Sequence, residues 1–534
     1  MKSKSLIGGT IILVSANFIS KILGAILKIP LTYILGEEGM AIYHTTFSIY
    51  ITVLFLVTSG IPFAVSKYIS EELALSHEGT VKKAIKISLI IMSFLGIAGS
   101  IILFFGAEFF SLSMKDPKAI MPTKAIAPSV LFVAVGCIYK SVFEAYQNMV
   151  PTAISQVIES FIKLVLGFTF ALWLSSFTIT YAVSGAVFSI TLGELIATLI
   201  LFLLYLPYSK KLKNTPEINT SKEVVTAIFS VAVPMMITSI ISSSFSLLET
   251  SIIRNRLLDI TFTKATAEKF LATYAPFTDI FNHITNTLKM DIDGARWLFG
   301  AYSGYAATVF NLPIGILASF GVTVVPVITK CVALKNYTKV NEVVLTVTKI
   351  LLLLSLPCAV IFIMYPEEIL YILFKNTASA AMLRLMSPTL IIISISNIIS
   401  ASLFATGKIA IPFINETIAV IVKIILLYFL IVIPDINITG VIISSFFANL
   451  LLLFLNMNIA KKHLKLHFLP LSFVIKSLLS AVWMGIICYV IKSNYYIVNN
   501  IYAFIIAAII SVTIYFILIL LFGIVSKKEI KSYA

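Results

Sequence analysis

Charge is scarce in this chain. Only 12% of its 534 residues are charged, 39 basic against 24 acidic, with five histidines beside them. Average soluble proteins carry about 25% charged residues, so a water-facing surface of this size is excluded. Cysteine is equally thin. Cys137, Cys331, Cys358 and Cys488 lie far apart in or beside apolar runs, with no CxxC pair, which excludes a disulfide framework and a zinc knuckle. No Walker A sequence occurs, because Gly407-Lys408 lacks the upstream glycine and the following hydroxyl. ATP is therefore not an expected partner. Rossmann glycines, HExxH and a nucleophile elbow are missing too. His463 and His467 have metal-ligand spacing but stand among Lys461, Lys462 and Lys465, which reads as a solvated loop. No metal and no cofactor is expected. The net charge of +15 is scattered between apolar runs rather than gathered in a stripe or tail, which argues against nucleic acid.

Apolar length is what the chain has. Of all residues 59% are hydrophobic, and runs long enough to cross a bilayer recur. They fall near 6–35, 41–66, 85–107, 125–147, 150–174, 180–206, 227–252, 300–329, 343–365, 380–405, 409–433, 438–459, 470–492 and 499–523. The expected fold is an all-α polytopic membrane protein of about 14 transmembrane helices. Residues 1–5 resemble the start of a signal peptide, but the run behind them is too long and reads as a retained first helix. Prolines at 30, 62, 128, 234, 313, 326, 357, 388 and 412 fall in or at the ends of these runs, where they bend single helices or mark a moving cavity. Twenty lysines fall on alternate loops beginning with the N-terminal one, so both termini are expected in the cytoplasm.

Two segments repeat. Phe143 and Pro151 recur as Phe404 and Pro412, and Gly60 recurs as Gly321, each pair 261 positions apart. The shared offset points to two pseudo-symmetric six-helix lobes followed by two further helices. The expected division is an N-lobe over 1–206, a polar cytoplasmic linker over 207–226, a C-lobe over 227–459, and the last two helices with a cytoplasmic tail over 460–534.

Charges inside the runs are few enough to weigh singly. Asn17, Lys21, Gly24 and Lys28 are spaced by four, three and four, one polar stripe with a gap at the glycine. A cation at membrane depth faces a wet, protein-lined cavity or finds a counterion. Either Lys21 and Lys28 line a cavity for an anion, or Lys21 pairs with a carboxylate and Lys28 snorkels to the interface. Lys140 with Glu144, and Glu159 with Lys163, are i,i+4 pairs that read as internal neutralisation or as coupling groups. Glu416 and Lys423 recur two turns apart in the second half. Glu194 and Glu249 have no partner nearby in sequence. Glu249 lies in a serine-rich run, with Arg254 and Arg256 just beyond as further cavity candidates. The 253–299 loop holds Asp259, Glu268, Asp279, His283, Asp291 and Asp293, and reads either as a surface amphipathic helix or as the site of a membrane glycosyltransferase or ligase.

Several segments carry a resemblance. Ser20-Lys21-Ile22-Leu23-Gly24, the Gly36-Glu37-Glu38-Gly39-Met40-Ala41-Ile42-Tyr43 turn and Gly60-Ile61-Pro62-Phe63-Ala64-Val65-Ser66-Lys67 resemble the first two helices of the polysaccharide-transport branch of the MOP flippase superfamily. The run from Gln147 through Pro151 and Gln156 to Glu159 is similar to the stage V sporulation protein B group. Tyr305-Ala306 through Pro313-Ile314-Gly315 looks like the eighth helix of that group and of lipid II flippases. The resemblance implies export of a polyprenyl-diphosphate-linked sugar precursor for peptidoglycan or spore cortex across the bacterial cytoplasmic membrane. Its partners would be that substrate and membrane lipids, its drive the membrane potential, H+ or Na+. Lys21 falls where the lipid II flippase pattern has a diphosphate-binding arginine, while the positions near Leu54 and Thr308 lack the arginines of some relatives. A drug–cation antiporter would share this fold but would favour acidic groups in its cavity.

Overall fold

The computed structural model describes residues 4–211, 216–273, 288–406, 410–464, 469–494 and 501–524. Gly407, Lys408, Lys465, His467, Asp279 and His283 lie outside the described residues. Among the described residues the backbone is helical nearly throughout, and the one strand-like pairing is a single bridge between Thr261 and Lys289. Among the described residues eleven helical stretches are long and apolar enough to cross a membrane. Their outward faces carry large apolar side chains, among them Phe105 at 77%, Trp173 at 65% and Leu521 at 73% exposure. A surface this apolar is stable only against hydrocarbon.

Two compact units divide the chain, Met1–Asn255 and Arg256–Ala534. The first opens with α1 (Lys4–Thr58), broken at Gly36 (φ 60°, ψ −168°). That backbone region is open essentially to glycine alone. One residue thus reverses the chain, and the 37–40 segment read as turn is already helical. Then follow α2 (Ile61–Ala74), α3 (Glu78–Ser113), a 3-10 turn at Pro117–Ala119, α4 (Ile120–Ile126), α5 (Ser129–Ala145), α6 (Val150–Leu174), α7 (Ile179–Lys211) and α8 (Ser221–Leu257). Pro62 and Pro151 stand in the first turns of α2 and α6, where a missing N–H costs nothing. Pro128 separates α4 from α5, so the run 125–147 is not one helix. Val57, Ile85, Met92, Val130, Ile138 and Val142 form the buried core of this unit.

The hydropathy division put the start of the second lobe at residue 227. In the structure α8 belongs to the first unit through its C-terminal end. Hydroxyl contacts hold it there: Ser48 Oγ lies 2.9 Å from Thr250 Oγ1, and Thr52 Oγ1 donates to the Ser243 carbonyl at 3.3 Å.

The second unit contains α9 (Lys264–Thr273), α10 (Ile292–Gly300), a π-helical segment Ala301–Ala306, α11 (Ala307–Ala333), α12 (Tyr337–Met364), α13 (Pro366–Phe374), α14 (Ala380–Ala405), α15 (Ala410–Leu430), α16 (Thr439–Leu464), α17 (Leu471–Asn494) and α18 (Ile501–Leu521). Its packing repeats that of the first. The pairs α2–α5, α3–α5, α5–α7 and α6–α7 recur as α11–α14, α12–α14, α14–α16 and α15–α16, while α17 and α18 pack on each other, with α17 against α12. In the 253–299 stretch, α9 buries Ala267 and Phe270 and leaves Lys264, Glu268 and Lys269 exposed, the amphipathic pattern of a surface helix.

Candidate functional site

Three helices of the first unit bring four charges together, Glu194 buried and the other three half-buried. On α6, Lys163 Nζ lies 2.5 Å from Glu159 Oε1, the expected i,i+4 pair. The same ammonium lies 2.8 Å from Glu194 Oε1 on α7. Lys140 on α5 points to Glu159 Oε2 at 3.8 Å. One expectation is thereby corrected: Lys140 pairs across helices rather than with Glu144, which makes no ion pair among the described residues. Glu194, without a partner nearby in sequence, finds one 31 positions away. Spacing along one helix finds i,i+4 pairs only, so neither contact was visible to it. The four side chains are between 11% and 26% exposed, and their formal charges cancel.

Gly193 makes the cluster fit. A Cβ at that position would stand 3.0 Å from Lys163 Cγ and 3.2 Å from the Glu159 carbonyl. A side chain there would press on both, so glycine favours the close approach of α7 to α6 that carries Glu194 in.

The polar stripe of α1 lands on the same face of α6. Gln156 Nε2 donates to Asn17 Oδ1 at 2.5 Å, and Ser20 Oγ donates to the Gln156 carbonyl at 3.2 Å. Higher up, a Cβ at Gly167 would touch Leu27 at 3.4 Å. These contacts run at offsets of 139 and 140 residues, so α1 and α6 are parallel and Gly24 stands level with Lys163. Nothing lies within 4 Å of a Cβ built on Gly24. The gap in the stripe is open space beside the ionic cluster. Lys21 is exposed. Lys28 is half-buried, and its ammonium has no hydrogen bond or ion pair among the described residues; only its carbonyl is used, by Thr32 Oγ1 at 2.7 Å.

The remaining candidates lie elsewhere. Arg254 is not a cavity residue. It is 2% exposed and ties α8 to the turn after α3, with Nη2 3.1 Å from the fully buried Asp116 and 3.3 Å from the Lys115 carbonyl. Arg256 pairs with Asp259 at 2.5 Å and stacks over the Tyr428 ring at 4.1 Å. Glu249 is half-buried on α8. Glu416 and Lys423 sit on α15 in the second unit, and Glu416 is exposed. In that unit the α14–α15–α16 junction is held by uncharged groups: Asn415 Nδ2 donates to Asn456 Oδ1 at 2.8 Å and Asn456 Nδ2 to Ser400 Oγ at 2.9 Å. Single asparagines in apolar runs carry no spacing signal, and the sequence reading missed them. The described loop carboxylates are mostly committed: Asp259 to Arg256, Asp293 to Arg296, and Asp291 to the N-terminus of α10, accepting from Gly294 N at 2.7 Å. Among the described residues no three metal-ligating side chains converge.

Lipid-facing helices packed around a charged cluster define a multi-pass membrane protein. Residues 6–332 match the family described as polysaccharide biosynthesis protein, and 299–519 match that of the lipid II flippase MurJ. The chain belongs to the polysaccharide biosynthesis protein family. Stage V sporulation protein B of Bacillus subtilis (strain 168) is 24% identical over 549 residues, covering 99% of this chain and 98% of that protein. A solved lipid II flippase MurJ in its inward closed conformation superimposes with a TM-score of 0.63 at 17% identity, covering 96% of this chain and 98% of the other. An inward-facing multidrug resistance MATE family transporter of the MOP superfamily gives a TM-score of 0.65 at 15% identity, over 85% of this chain and 98% of the other. At such identities the structural likeness speaks for the fold alone.

Proposed function

We propose that the protein moves a polyprenyl-diphosphate-linked sugar precursor, lipid II or a close relative used for peptidoglycan or spore cortex, across the cytoplasmic membrane. The observation that carries this reading is Lys28, a half-buried ammonium on a membrane helix with no partner among the described residues. A cation left without a counterion at that depth favours an anionic visitor. Lys21 stands two turns before it on the same stripe. The diphosphate meets these ammonium groups beside the Gly24 gap, while the polyprenyl tail stays in lipid. Both lysines are point charges, which attract a diphosphate without the bidentate geometry of arginine.

Transport proceeds by alternating access between two six-helix lobes, with two C-terminal helices outside the repeat and both termini in the cytoplasm. The helix inventory supports fourteen crossings, counting Ser15–Leu73 as two across Gly36 and adding α8 and α11 to the eleven. Drive comes from the membrane potential or from H+ or Na+, with Glu159 and Glu194 as the groups that would hold the coupling ion once Lys163 lets go. The MATE-like fold keeps a drug–cation antiporter as the second reading, but Glu159 and Glu194 are already neutralised by lysine, which disfavours a cationic cargo.

Complementation tests the proposal. Cells depleted of their lipid II flippase should be rescued by the unmodified chain and by Lys21→Arg, and not by Lys21→Ala combined with Lys28→Ala. Lack of rescue by unmodified protein that has reached the membrane would overturn lipid II as the cargo.

A further inference from the structure

The helix running from α10 into α11 is not uniform. Between them, Ala301–Ala306 is π-helical, and the N–H of Ala307 donates to the carbonyl of Tyr302, five residues back. Such segments are rare and costly in regular helices, and recur where a helix changes register. This one is supported by its side chains. Ser303 Oγ donates to the Phe299 carbonyl at 2.7 Å and Thr308 Oγ1 to the Ser303 carbonyl at 3.4 Å, so hydroxyls cover carbonyls around the widened turns. Tyr305 is anchored against Phe374 of α13, ring centroids 5.0 Å apart.

The repeat supplies a control. At the offset of 261, residues 301–306 correspond to 40–45 in the second half of α1. There the helix is regular, the one non-helical residue inside α1 being Gly36. The widened segment at 301–306 thus has no counterpart at 40–45.

We propose that Ala301–Ala306 is a register switch: its conversion between π and α winding rotates α11 about its own axis during the transport cycle. Releasing one residue from the widened turns rotates everything on one side by about 100° and shifts it by about 1.5 Å. At a side-chain radius of about 5 Å this is a sweep of about 9 Å. Asn311 is the exposed polar group just beyond the segment, following the buried Thr308, Val309 and Phe310. Winding decides whether that amide or its apolar neighbours occupy the exposed face. The inference rests on the transporter reading.

Deletion of Ala306 isolates the switch, because it removes the extra residue while leaving the helices on both sides in phase. In a chain with its native cysteines replaced, single cysteines at positions 308–316 are labelled with maleimide in vesicles under three conditions: no addition, added polyprenyl diphosphate, and an imposed membrane potential. In the intact chain the labelling pattern should move by one residue under at least one of the latter two, and in the deletion it should stay fixed under all three. A pattern fixed under every condition in the intact chain, or one that still moves in the deletion, would overturn the switch. Movement with potential but not with polyprenyl diphosphate would sink the cargo reading and leave the switch standing.

Discussion

Lys163→Met tests the ionic cluster at its hub. The ammonium sits 2.5 Å from Glu159 and 2.8 Å from Glu194, at side-chain exposures of 22%, 13% and 11%. Water screens such groups poorly. Without Lys163, Glu194 has no cation within 4 Å among the described residues, since Lys140 reaches only Glu159, at 3.8 Å. Removing one partner of a buried pair costs about 3–5 kcal/mol, which is between two and four decades in the folding equilibrium at about 1.4 kcal/mol per decade. Methionine fills most of the lysine's volume, so a cavity adds little. The assay is reversible unfolding in mixed detergent and dodecyl sulfate, followed by near-ultraviolet circular dichroism. The informative partner is the double variant Lys163→Met with Glu194→Gln. It leaves Lys140 and Glu159 as a balanced pair and should regain more than half of the loss. A single variant within about 1 kcal/mol of the parent, or a double variant no better than the single, would refute the described geometry.

Three further perturbations follow from the same coordinates. Arg254→Leu removes the guanidinium 3.1 Å from the fully buried Asp116 and should cost about 3–5 kcal/mol, most of it recovered by adding Asp116→Asn, again read by unfolding. Gly36→Ala forces a Cβ into φ 60°, ψ −168° and should cost about 1–3 kcal/mol without filling any space, since nothing lies within 4 Å of the added atom. Glu367, at the start of α13, links Arg384 at 2.7 Å and Lys492 at 3.1 Å. Burial pushes its carboxyl up, but its own backbone N–H, Lys492 and Arg384 outweigh burial and hold it below the ordinary range. A carboxyl depressed in the folded state stabilises fully above its unfolded value of about 4.3 and loses that contribution as pH falls through the folded value. Thermal unfolding of the parent should therefore weaken as pH drops below about 4.3, and Glu367→Gln should flatten that dependence.

What the sequence reveals here depends on the range of each interaction. Membrane helices announce themselves because twenty apolar residues in a row have one physical use. The stripe of Asn17, Lys21, Gly24 and Lys28 was legible because helical periodicity is local. The partners of that stripe were not. Gln156 meets Asn17 across 139 positions and Glu194 meets Lys163 across 31, and a single sequence carries no term linking positions so far apart. Arg254 misled for the same reason: beside Arg256 it looked like a cationic rim, whereas Asp116, 138 positions earlier in the numbering, had already claimed it.

The two repeats sharpen the functional argument. Equivalent three-helix junctions are α5–α6–α7 in the first unit and α14–α15–α16 in the second. Had stability alone shaped them, both would carry the amide contacts of Ser400, Asn415 and Asn456, which satisfy buried polar groups without desolvating charge. A buried ion quartet gives no stability advantage over such a network, and is often worse than a neutral replacement. Among the described residues such a quartet occurs in the first repeat, and its presence there calls for a use that amides cannot serve. Under the proposed ion coupling, charge that can be rearranged would be that use: Lys163 would surrender one carboxylate to an incoming ion while keeping the other. The neutral variant Lys163→Met with Glu194→Gln then separates the two roles. It should regain more than half of the stability lost by Lys163→Met alone and fail to transport; normal transport by that variant would reduce the quartet to a structural relic.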